Sequence, residues 1–151
     1  MHFCGIIIKP TNISITDART LLGDELVNRG VADWYSANKH RERTFKKRQK
    51  IPLSEFKELF TGKEFLGSLQ SDTDNTYFSN DSWVFAVITN DCIDELFLAE
   101  EFWEFYDYPN HRKKLITAYI DAYKEATTDV INKLLESPKQ QYDVVLLDYH
   151  N

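Results

Sequence analysis

Apolar residues along this chain fall in blocks whose spacing changes from strand-like to helical and back. The first block, Ile6-Ile7-Ile8, is continuous and β-branched, which predicts a buried strand over residues 2–9 that Pro10 ends. Thr16-Asp17 then offers a helix N-cap before Ala18, Leu21, Leu22, Leu26 and Val27, which recur at helical spacing until Gly30 supplies a stop. Residues 43–51 alternate weakly, as a polar strand would. Pro52-Leu53-Ser54 leads into a short helix carrying Phe56, Leu59 and Phe60, and residues 64–69 read as a further short strand. The clearest strand after the first is 83–89. Residues 93–105 are expected to be helical, with Leu96, Phe97, Phe102 and Trp103 as apolar surface. From 115 to 135, apolar residues such as Ile116, Ile120, Ile131 and Leu134 recur as in a long amphipathic helix, which Ser137-Pro138 stops, and 142–149 form a last strand.

This order of strand, helix, several strands, helices and strand implies an α+β domain in which helices cover a layered, largely antiparallel sheet. No repeat, low-complexity tract or Pro/Gly-rich linker divides it, and 151 residues with 42% apolar and 14% aromatic content suffice for one core but not two. Residues 1–151 are therefore read as a single domain.

Charge adds an asymmetry that hydropathy does not show. Residues 39–50 hold seven basic side chains against Glu42 alone, a local +6 that leaves −12 for the rest of a chain whose formal charge is −6. The largest acidic block, 91–107, has seven acids, no basic residue, and the aromatics Phe97, Phe102, Trp103, Phe105 and Tyr106 among them. Glu100, Glu101, Trp103 and Glu104 are its candidate partner-binding residues, able to dock on a basic protein surface, while the plainer reading turns the aromatics to the core and the acids to water. Lys46, Lys47 and Arg48, with Phe45 or Trp34 to stack on bases, would serve nucleic acid instead, a reading the overall negative charge disfavours. No stretch approaches the roughly 18 apolar residues of a membrane span, and the N-terminus lacks signal-peptide features, so a cytoplasmic protein with no membrane association is expected. Cys4 and Cys92 form no metal-ligand spacing, and the four histidines share none with carboxylates or cysteines, so neither metal nor cofactor is expected. Phosphate-loop, nucleophile-elbow and zinc-protease motifs are all missing.

Several short stretches nevertheless line up, in order, with one family. Cys4-Gly5-Ile6 resembles the nucleophile strand of class II, N-terminal-nucleophile glutamine amidotransferases, and Asn28-Arg29-Gly30-Val31-Ala32-Asp33 is similar to their Arg-Gly-x-Asp loop. Lys46-Lys47-Arg48-Gln49-Lys50, followed by Pro52, Phe56 and Leu59, looks like the basic strand and short helix of such domains. Leu66-Gly67-Ser68-Leu69-Gln70-Ser71-Asp72-Thr73 resembles their Leu-Gly-His-x-Arg-x-x-Thr segment, and the strand that ends at Asn90-Asp91 resembles one that ends in Asn-Gly. The resemblance covers nearly the whole chain in shortened form and implies the αββα glutaminase fold. It also implies Cys4 as nucleophile, Asn90 as oxyanion donor, and Arg29, Asp33, Gln70 and Thr73 at substrate-binding positions, with glutamine as substrate.

In that family an N-terminal thiolate attacks the glutamine amide, its own α-amino group, with a pKa of about 8, carrying the proton. Each oxyanion donor contributes about 3–4 kcal/mol in comparable acyl-transfer sites, and an Arg fixes the substrate carboxylate. Three departures oppose this chemistry. Met1-His2-Phe3 precede Cys4 and make its nitrogen an amide; Gln70 stands in place of the carboxylate-binding Arg; and Asp91 replaces the Gly, setting a negative side chain beside a site for an anion. The expectation is a domain that is catalytically inactive as the unprocessed chain and acts through binding; any activity would need cleavage before Cys4. Cys4 also reads as a small buried hydrophobe, Arg29-Gly30 as a helix stop and Asn90-Asp91 as a turn.

Overall fold

The computed structural model describes residues 2–37, 48–61, 83–97, 125–137 and 139–150. The Ile6-Ile7-Ile8 run lies in β1 (His2–Pro10), at the middle of a mixed sheet. Along one side β1 pairs antiparallel with β6 (Tyr142–His150), and along the other it pairs parallel with β4 (Trp83–Thr89). Outside β4 runs β5 (Cys92–Phe97), and outside β6 lie two short strands, β2 (Trp34–Ser36) and β3 (Ile51–Pro52). The architecture is α+β, as the element order implies. The sheet is mixed: β1 and β4 pair parallel, while the other four pairings among the described strands are antiparallel, so the expected antiparallel character holds for most of it.

Both faces of the sheet are covered, which is why its central strands read as continuous apolar runs. On one face α1 (Ile15–Asn28) lays Ala18, Leu22 and Leu26 over Ile7, Val84, Ala86, Val145 and Leu147. On the other, Leu53, Phe56 and Phe60 of α2 (Leu53–Thr61) and Ile131 of a third helix, α3, over 125–136, pack on Ile6, Ile8, Phe85, Val87 and Leu146. Burial of such side chains is worth roughly 1.5–3 kcal/mol each, so the alternation of Ile6, Ile7 and Ile8 between two cores fixes the register of β1.

The ends of α1 follow from local chemistry. Its N-cap is Ser14, whose Oγ accepts from the Asp17 amide at 3.0 Å; the expected Thr16-Asp17 cap is displaced because Ser14 is the residue with extended backbone. At the C-terminus Arg29 is the cap, Gly30 takes φ 74°, and the Gly30 and Val31 amides donate to Val27 and Leu26 carbonyls at 3.0 and 2.9 Å. That reciprocal pair is a Schellman motif, and Val31 joins Leu26 in the core as the motif's apolar contact.

The helix expected over 93–105 is corrected where it is described, because Cys92–Phe97 is the strand β5. Asn90 and Asp91 have φ of 48° and 65°, the double left-handed pair of a two-residue hairpin, so the chain turns straight back along β4. A register shift between Val87 and Ile88 then leaves Asp94 unpaired against β4. That bulge puts Ile93 and Leu96 on the α1 face and Phe97 on the other, against Phe85 at 5.8 Å between ring centroids. Apolar residues at i, i+3 and i+4 therefore imitate a helical stripe in a bulged strand. The expected strand at 64–69, most of that at 43–51, residues 98–105 and the first part of the helix at 115–135 lie outside the described residues.

On its outer side β6 meets β3 at Asp143 and Val144 and β2 from Asp148 to His150, leaving a gap between them. The His150 carbonyl faces that side, since it accepts from the Asp33 amide at 2.9 Å. Carbonyl direction alternates along a strand, so Leu146 faces it too, inside the gap. Arg19, 2% exposed on α1, reaches over and donates Nε to the Leu146 carbonyl at 2.9 Å. Substituting Arg19→Ala removes that donor and opens a cavity, and a loss of about 2–4 kcal/mol is expected as a lower urea midpoint at unchanged m-value.

Candidate functional site

Cys4 lies in β1 with its backbone opposite Trp83 on one side and Asp148 on the other. Two residues of the lead belong to the sheet, because His2 pairs with His150 and Phe3 with Tyr149 in the same ladder. The nitrogen of Cys4 is thus an interior peptide amide within a central strand. Gly5 serves packing, since a Cβ there would stand 3.3 Å from Leu22 Cδ2 and 3.4 Å from Leu147 Cβ, and glycine lets α1 approach the sheet.

The same end of the sheet gathers part of the expected substrate-binding set. Asp33 immediately precedes β2, whose Trp34 pairs with His150, and the Asp33 amide is bonded to the His150 carbonyl. Asp33 Oδ1 also meets His150 Nδ1 at 2.9 Å. Arg29, four residues earlier, serves as the α1 C-cap and turns its guanidinium to Glu25, Nε to Oε1 2.6 Å. The helix-stop reading of Arg29-Gly30 therefore describes their local geometry. Tyr35 packs its ring over Gly23, where any Cβ would fall 2.3 Å from Cδ2, and donates its hydroxyl to Asp24 at 2.7 Å. Accepting carboxylate and partial burial push the Tyr35 phenol above its ordinary value. Exposed Trp34 and the Asp33–His150 pair complete this rim.

Asn90 is not brought to Cys4. With Ile8 opposite Val87, Asn90 lies beyond the far end of β1, and at ~3.3 Å per residue the two stand roughly 20 Å apart. Asn90-Asp91 is the β4–β5 turn, in keeping with their plainer reading. Gln70, Thr73, Glu100, Glu101, Trp103 and Glu104 lie outside the described residues. Of the basic run, Arg48 forms a two-pronged pair with Glu55 and Lys50 meets Asp143 at 3.6 Å. Among the described residues no group of three or more His, Cys, Asp or Glu is arranged to hold a metal ion, and no helix is long and apolar enough to cross a membrane.

Sequence reasoning missed three polar residues. His150 has no spacing signal, because its partner is 117 positions away. Lys9 and Asp143 carry a faint one: a lysine closes the first apolar strand and an aspartate opens the last, and antiparallel neighbours bring such ends together. Lys9 is 1% exposed, 3.6 Å from Asp143 Oδ2, and burial pulls its ammonium below the ordinary lysine value despite that carboxylate. Compared with known proteins, the chain matches no family model, curated protein or solved structure.

The hydrogen bond from His150 holds the Asp33 carboxyl below its ordinary value. A carboxyl depressed in the folded state contributes stability that is present above its unfolded value, near 3.9, and is lost as pH falls through the lower folded value. Carbon-detected NMR titration should show Asp33 ionising below 3.8 in the native chain and returning toward that value in His150→Ala.

Proposed function

We propose that this chain is a class II glutamine amidotransferase-like domain that does not hydrolyse glutamine as it stands and acts through binding. What carries the reading is the paired lead. An N-terminal-nucleophile site needs a free α-amino group on its cysteine, and here residues 2 and 3 occupy ladder positions ahead of Cys4. The order Cys-Gly-Ile strand, amphipathic helix, Arg-Gly loop and Asp33 at one end of the sheet favours the family. The separation of Asn90 from Cys4 favours the loss of acyl transfer, since an oxyanion donor acts only within about 3 Å of the reacting oxygen. Against the family stands the layering, since an αββα fold packs one sheet face on a second sheet, whereas helices lie on both faces of the described sheet.

Glutamate release from glutamine tests this, using residues 1–151 and a form that begins at Cys4, each with Cys4→Ala as background. No release above background is expected from either folded form. Release above background from residues 1–151 sinks the claim of inactivity, whereas release that requires both an N-terminal and an intact Cys4 overturns the loss of acyl transfer and establishes a glutaminase silenced by its lead.

A second reading has its own observation. Asp91, Asp94 and Glu95 are all exposed on the β4–β5 hairpin, the described part of the acidic block. This surface suits a basic face of a partner protein, attraction that salt screens. A labelled oligolysine peptide should bind at low salt and be released by Asp94→Lys with Glu95→Lys; equal binding by that variant removes the hairpin from consideration. The nucleic-acid reading is weaker, because Arg48 and Lys50 are engaged by Glu55 and Asp143.

A further inference from the structure

Where β1 finishes and β6 begins, far from Cys4, a cavity of about 450 Å³ opens between the first turn of α2 and the last turn of α3. Small-molecule sites run from roughly 300 to 1,000 Å³ and combine apolar walls with a few polar groups. Leu53 and Leu134 supply an apolar side here, and Ser54, Ser137, Gln140 and Asp143 a polar one.

Asp143 is the one carboxylate among the described residues of this wall, and two lysines hold it from behind. Lys9 Nζ and Lys50 Nζ each stand 3.6 Å from Oδ2, and neither lysine lines the cavity. Oδ2 is enclosed and accepts no hydrogen bond, yet the side chain keeps 12% of its surface exposed. Oδ1 is then the oxygen left for an occupant. Gln140 donates Nε2 to the Gln141 carbonyl at 2.8 Å, which leaves its own amide oxygen as a second acceptor.

These charges select the ligand class. A cationic group at Asp143 would meet two ammonium groups within a few ångströms, and an anionic group would meet the carboxylate itself. A neutral hydroxyl avoids both, donates to the buried carboxylate in a strong charge-assisted bond, and lets its neighbours exchange hydrogen bonds with Ser54 and Ser137. We propose that this cavity binds a neutral polyhydroxylated small molecule, a monosaccharide or the ribose of a nucleoside, with Asp143 as the central acceptor. The site is independent of the amidotransferase reading and stands or falls without it.

The test is titration of the ¹⁵N-labelled full chain with methyl glucoside and, separately, with adenosine, which distinguishes the two sources of the sugar. Glucosamine and glucose 6-phosphate serve as cationic and anionic comparators. Saturable shifts at the Ser54, Gln141 and Asp143 amides with one neutral probe are expected. They should weaken at least tenfold in Ser137→Trp, which fills the cavity from the exposed end of α3, or in Leu135→Trp should the first variant not fold. No saturable shift with either neutral probe, unchanged affinity in the folded tryptophan variant, or tighter binding of a charged comparator overturns the proposal.

Discussion

The pairing of the first strand with the last is the constraint on which the rest depends. Nine residues of β1 face nine of β6, closing almost the full length of the chain into one antiparallel ladder. Such closure orders a long loop before most contacts form, so the pairing gains stability only when both of its faces are buried at once. The two isoleucine sides of β1 meet that requirement, one under α1 and the other under α2 and α3. A one-residue slip would exchange Ile7 with Ile6 and Ile8 and set Gly5, which leaves room for Leu22, on the wrong face.

Polar groups are placed at the gap on the outer side of β6 and at its first residues. Arg19 answers the Leu146 carbonyl in the gap between β2 and β3, and Lys9 and Lys50 meet Asp143 at the strand end. A buried charge is costly unless paired, so the buried Arg19, Lys9 and Asp143 tolerate few replacements. Asp143 also lines the cavity beside α2, where a group needed to satisfy one buried ion becomes available to another molecule.

The proposed functional residues fall at two ends of the sheet. Cys4, Asp33 and His150 gather at the end where β1 begins, whereas the Asn90-Asp91 turn and the cavity lie where it finishes. Cys4 and Asn90 are too far apart to act as nucleophile and oxyanion donor on one carbonyl, a separation consistent with the proposed binding role.

Much of this organisation is local and therefore legible in one dimension. The Ile6-Ile7-Ile8 run, the Gly30 stop, the Pro52 entry to α2 and the strands at 83–89 and 142–149 depend on side-chain shape and near-neighbour chemistry, which spacing records directly. The β5 strand reads as helix in one dimension because a bulge gives sheet residues a helical rhythm, and a bulge is a property of two strands, not of one segment. The partnerships of Arg19 with Leu146, Asp33 with His150 and Lys9 with Asp143 join residues over a hundred positions apart. What the sequence by itself determined was which segments could be strand or helix and which residue types could do chemistry. Which of them meet, and that Cys4 and Asn90 do not, was decided by strand register, because a shift along a ladder moves a side chain by ångströms without altering any local preference.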